Sequence, residues 1–119
     1  MKKIIKIQGK SVEISTSKEA DAILSSRKIP LVVEMELMFD SLVSKKVRFL
    51  MPSKGENSTV SVSEKLSTRF RPVMMECGKH QHSQCRLTDF PIVKLSPYVP
   101  KWLRIDFRFG HWFGEFGYQ

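Results

Sequence analysis

The chain has 119 residues, of which 20 are Lys or Arg and 12 are Asp or Glu, giving a formal net charge of +8 with 41% hydrophobic and 27% charged residues. This length suits a single domain, residues 1–119, with a core large enough to fold without a disulfide or metal staple. Only 6 Gly and 6 Pro exclude a collagen-like or low-complexity chain. The apolar runs fall far short of the roughly 18 residues that span a bilayer, so no membrane partner is expected.

Met1-Lys2-Lys3 has the charge of a signal-peptide start, but only Ile4-Ile5 precede Lys6. A secretory segment needs about 7–15 apolar residues. The only cysteines, Cys77 and Cys85, do not make the spread framework of a small secreted protein, so a reducing cytoplasm is the expected location. Residues 1–60 carry 11 bases and 7 acids, and residues 61–119 carry 9 bases and 5 acids. Each half is therefore +4, which argues for a folded basic surface rather than a basic tail.

Residues 3–7 and 10–15 read as a hairpin about Gln8-Gly9. Thr16-Ser17-Lys18-Glu19 fits a capping box with Thr16 as N-cap, opening one short helix at about 17–27 that ends before Pro30. From Leu31 to Phe39, apolar residues alternate with Glu34 and Glu36, the period of a strand with one buried face. Residues 43–51 repeat that parity, and a tight turn centred on Ser41 pairs residues whose numbers sum to 82. Glu34 then faces Arg48 and Glu36 faces Lys46, a structural role for all four charges. Residues 52–59 form an exposed loop. Strands follow at 59–63 and 67–77, the second marked by Pro72 as an edge strand or an interrupted one. Residues 86–99 read as irregular chain wrapping the sheet, anchored by Phe90, Ile92, Val93 and Tyr98.

Eight of the twelve aromatic residues lie in the last 22 positions. With Gly110-His111 as the turn, a hairpin pairs residues whose numbers sum to 221. Leu103, Ile105, Phe107 and Phe109 then share a core face with Trp112, Gly114, Phe116 and Tyr118. The opposite face carries Trp102, Arg104, Asp106, Arg108, Phe113 and Glu115, with Arg108 across from Phe113 and Asp106 across from Glu115. Arginine and aromatic side chains on a sheet face are what single-stranded nucleic acid uses, since bases stack and guanidinium groups meet phosphates. The plainer alternatives are an outer face with Arg packed on rings, or a face covered by the 86–100 segment. The facing carboxylates would suit acid–base work or a cation, but neighbouring Arg104 and Arg108 favour simple salt bridging, and no nucleophile stands nearby.

Cys77-x2-His80-x-His82-x2-Cys85 holds a complete tetrahedral zinc set. Neither a strand nor a helix brings the four together, so only a loop folded back at Gln81 would make the site. A hairpin turning there also sets Cys77 opposite Cys85, which permits a disulfide in an oxidising compartment. The third alternative is two reduced cysteines beside an exposed polar loop. His111 reads as a solvent-exposed turn residue.

Together these features predict a single α+β domain, an antiparallel twisted sheet of about six or seven strands with one short helix in its N-terminal half. The leading functional expectation is a small basic, non-catalytic protein that binds RNA or single-stranded DNA. Lys2, Lys3, Lys6, Arg69, Arg71, Trp102, Arg104, Arg108 and Phe113 are its contact residues. A protein-interaction module or inhibitor with an acidic partner, and a domain stabilised by zinc through Cys77, His80, His82 and Cys85, are the alternatives. Catalysis ranks last.

Overall fold

A computed structural model describes residues 1–39, 42–52, 59–77, 85–90 and 94–119, without the side chains of 76, 77 and 85–87. Strands β1 (Lys2–Ile7) and β2 (Lys10–Thr16) form the expected hairpin. Its turn residues Gln8 and Gly9 have φ of 50° and 78°, the left-handed pair that a type I′ turn requires. Helix α1 (Lys18–Ser26) follows, capped by Ser17 and not by Thr16: the Ser17 Oγ accepts the Ala20 N–H at 3.1 Å. The cap moves by one residue because Thr16 is still in the sheet, registered with Ile105.

Strand β3 (Leu31–Phe39) pairs with β4 (Ser44–Leu50) in the expected register, Val33 with Phe49 and Met35 with Val47. The expectation of one buried face fails. On its other side β3 pairs in parallel with β6 (Leu66–Cys77), which sets Arg69 beside Glu34 and Arg71 beside Glu36. Long side chains on both neighbours cover the acidic face, leaving Glu34 and Glu36 only 1% and 2% exposed. The ion pairs follow this three-strand arrangement rather than the β3–β4 ladder. Arg48 Nε donates diagonally to Glu36 at 2.7 Å, and Arg69 donates to a single oxygen of Glu34 from Nε at 2.8 Å and Nη2 at 2.5 Å.

Strand β6 runs unbroken through Pro72, against the expectation of an edge or an interruption. The Pro72 carbonyl accepts the Phe90 N–H at 3.0 Å, on the side away from β3. A residue's N and O lie on the same side of a strand, so the missing donor also faces that side. There β5 (Val60–Ser63) has ended and β7 (Cys85–Asp89) begins its pairing at Val73. The segment from 86 onward is thus partly a strand, followed by a 3₁₀ turn at Ser96–Tyr98, rather than irregular throughout. Phe90 and Tyr98 do anchor it, stacking on Phe39 at 4.6 Å and meeting it edge-on at 5.5 Å. Ile92 and Val93 lie outside the described residues.

Strands β8 (Trp102–Arg108) and β9 (His111–Gly117) complete the chain. Among the described residues nine strands make two mixed sheets, correcting the single antiparallel sheet: β1-β2-β8-β9, and β4-β3-β6-β5 with β7 also on β6. The β2–β8 and β3–β6 pairings are parallel. One core cluster joins Ile14, Leu103, Ile105 and Phe116 of the first sheet to Val33, Met35, Leu66 and Phe70 of the second, with Ala20 and Leu24 of α1. The α+β class holds. The sheets approach closely at Gly114, where a Cβ would lie 2.7 Å from Val47 Cγ1. Two lysines span the lateral edges: Lys45 Nζ donates to the Phe116 carbonyl at 3.2 Å, and Lys3 Nζ to that of Val62 at 2.6 Å. Among the described residues no helix is long and apolar enough to cross a membrane.

Candidate functional site

The C-terminal hairpin turns one residue earlier than Gly110-His111, which moves its register by two. Phe109 and Gly110 have φ of 52° and 76°, so they are the two central residues of a type I′ turn and His111 begins β9. Register partners therefore sum to 219: Leu103 with Phe116, Ile105 with Gly114, Phe107 with Trp112. A shift of two leaves the residues within the two strands on their expected faces, because strand parity is unchanged. It changes who meets whom. The Phe107 ring meets Trp112 edge-on at 4.9 Å, and Trp112 stacks on Phe49 of the other sheet at 5.8 Å. Phe109 leaves the core face and is 91% exposed.

On the outer face, Arg104 is now opposite Glu115, Asp106 opposite Phe113 and Arg108 opposite His111. The expected Asp106–Glu115 dyad does not form. Glu115 lies 3.6 Å from Arg104, and Asp106 lies 2.9 Å from Arg108 Nε. Asp106 also accepts hydrogen bonds from the Ser17 hydroxyl and, at 2.8 Å, from the Phe107 N–H. The Ser17 hydrogen bond first, then the Phe107 amide and Arg108, hold its carboxyl below the usual range against an opposing contribution from desolvation. Asp106 is therefore a fixed carboxylate that ties the helix cap to the sheet, a poor proton shuttle at neutral pH.

The two arginines pack on aromatic rings. Arg104 lies over Trp102 and Arg108 over Phe113, each guanidinium 4.7 Å from the ring centre. Trp102 lies over Gly117 across the strand pair, and its Nε1 donates to the Gln119 carbonyl at 3.1 Å. Arg104, Asp106, Arg108, Phe113, Gly114 and Glu115 line an open depression of about 340 Å³. The side chains of Arg104 and Arg108 stay 66% and 57% exposed, so the face is open to a ligand.

Register extends this face across the sheet. Lys2 is opposite Ser15, Ser15 beside Arg104, Ile4 opposite Glu13 and Glu13 beside Trp102, with Lys6 on the same parity of β1. Lys2 is 3.2 Å from Glu13, whereas Lys6 has no acidic partner among the described residues. Lys2, Lys6, Trp102, Arg104, Arg108 and Phe113 thus share one surface. Lys3 has the opposite parity and reaches Val62. Arg69 and Arg71 belong to the second sheet, where Arg69 binds Glu34 and Arg71 Nε donates to Asp89 at 2.6 Å.

Cys77 and Cys85 are register partners at the end of the β6–β7 ladder, as a hairpin turning at Gln81 requires. Their side chains, His80 and His82 lie outside the described residues, and with them the zinc set. Sequence reasoning missed Ser17 and Phe109. The available signal was that Phe109-Gly110 occupies its turn as Gln8-Gly9 does.

Comparison with family models, curated proteins and solved structures gives no match.

Proposed function

We propose that the protein is a small non-catalytic binding module that engages RNA or other single-stranded nucleic acid across the outer face of its first sheet. One observation carries this reading: two exposed arginines, Arg104 and Arg108, are held 4.7 Å over aromatic rings around an open depression. Stacking on a ring holds each guanidinium in place, so little of its freedom is lost on meeting a phosphate. The half-exposed Phe113 ring and the guanidinium plane of Arg104 over Trp102 offer stacking surface to bases, and Lys2 and Lys6 extend the positive rim. The net charge of +8 adds a long-range attraction.

Binding of a labelled random RNA measured against salt tests this. With Lys2, Lys6, Arg104 and Arg108 on phosphates, log K should fall with log salt at a slope of about −2 to −3. Arg104→Ala with Arg108→Ala should lower affinity about tenfold and leave melting nearly unchanged, since the ion pairs they lose are exposed. Absence of binding at low salt, or a flat salt dependence, refutes the reading. An interaction module for a protein partner is the second reading, and Glu13 and Glu115 favour it. Carboxylates set among the bases repel phosphate but suit the mixed charges of a protein surface.

A further inference from the structure

We infer that Phe109, at the tip of the β8–β9 hairpin, is a stacking anchor for an unpaired base. This rests on the nucleic-acid reading of the adjoining face and extends that face beyond the sheet.

The residue carries two unfavourable features with no return within the domain. Its backbone is left-handed at φ 52°, a region in which a side chain bearing a Cβ is strained and for which Asn before Gly is the preferred choice. Its ring is 91% exposed, more than any other large hydrophobic among the described residues. The fold contains its own control. The β1–β2 turn has the same geometry, with Gln8 at φ 50° and Gly9 at 78°, and there the first position holds a polar residue that solvent accepts. The backbone therefore does not call for an aromatic side chain, and the free domain does not bury the one it has. A left-handed backbone beneath a bulky, unburied ring is the outlier from which the functional contact is inferred.

The surroundings point to the ligand. Arg108 precedes the ring in the chain and lies over Phe113, which is itself 40% exposed at the edge of the depression. Along the outer face toward the hairpin tip come Trp102, Arg104, Phe113 opposite Asp106, and Arg108, with Phe109 next in the turn. Rings alternate with guanidinium groups, the pattern of a strand of bases tracked by its phosphates. The one carboxylate in that row, Asp106, is already engaged by Ser17 and Arg108.

Phe109→Asn separates binding from stability. It converts the turn to Asn-Gly, so the melting temperature should rise by about 3 °C. Affinity for a fluorescein-labelled oligouridylate of about ten nucleotides should fall about tenfold, while Phe109→Tyr, which keeps the ring, should bind as the parent does. If the parent fails to bind this probe at low salt, the nucleic-acid reading and the inference built on it fall together. If the parent binds and Phe109→Asn binds within twofold of it, the inference alone is overturned and the sheet face stands. A melting temperature lowered by Phe109→Asn would also overturn it, because the ring would then be supporting the fold.

Discussion

Glu34 and Glu36 show how little a side chain's type says about its surroundings. Both are acidic, both alternate with apolar residues, and both are buried in the middle of the second sheet. Glu34 is held by Arg69, with Arg71 Nη1 3.8 Å from its other oxygen. Removing one partner of such a pair strands the other, a change that costs about 3–5 kcal/mol for a fully buried pair. Arg69 retains 13% exposure, so Glu34→Ala should cost about 3 kcal/mol, the low end of that range. Urea denaturation measures this, and a Glu34→Met, Arg69→Met double variant should recover most of the loss. A loss below about 1 kcal/mol for Glu34→Ala would mean that solvent already screens the Arg69 charge. The role of these charges was legible from their alternation. Their partners were not, because Arg69 lies 35 residues away on a parallel neighbour.

At the scale of elements, the two long hairpins make an instructive pair. The β3–β4 register follows from the strand patterns alone, because only one alignment about its turn matches apolar with apolar and acid with base. The β8–β9 register does not. Sums of 219 and 221 put identical residues on identical faces, and the choice rests on whether the turn takes Phe109-Gly110 or Gly110-His111. The first sheet then binds α1 through Ser17 and Asp106, a link between distant elements with no periodic signature. This link predicts a pH dependence. The folded carboxyl of Asp106 sits below its unfolded value of about 3.9, so its contribution is complete above that pH and is lost as pH falls through the folded value. Urea midpoints followed downward from about pH 5 should therefore decline less steeply for Asp106→Asn than for the parent. Equal slopes would show that Asp106 adds nothing to the acid limb.

For the whole molecule, the decisive feature is how the two sheets meet. Gly114 makes room for Val47 and for the Phe49 ring, which a Cβ would approach to 2.7 Å and 3.0 Å. Gly114→Ala should therefore cost about 2 kcal/mol as an overpacked contact, with Val47→Ala in the same chain relieving much of it. A double-mutant cycle by denaturant unfolding tests the coupling, and purely additive effects would show that Val47 is not what a Cβ at 114 meets. The same scale recasts the net charge of +8. Lys3 and Lys45 span the sheet edges, and Arg48 and Arg69 hold buried glutamates. The outer face of the first sheet keeps Lys2, Lys6, Arg104 and Arg108 against Glu13, Asp106 and Glu115.

Most strands, the helix and the way β3 meets β4 are legible in the amino-acid sequence. Those features depend on side-chain alternation and local turn chemistry, which act over a few residues. Long-range packing alone sets the two sheets of the described residues, the parallel pairings of β2 with β8 and β3 with β6, and the cover on both faces of β3. Period-two patterning specifies the two faces of a strand but not its neighbours, and a parallel neighbour needs a long connection whose path leaves no periodic trace. The same limit separated Arg69 and Arg71 from Arg104 and Arg108, residues alike in sequence that the fold places on different sheets.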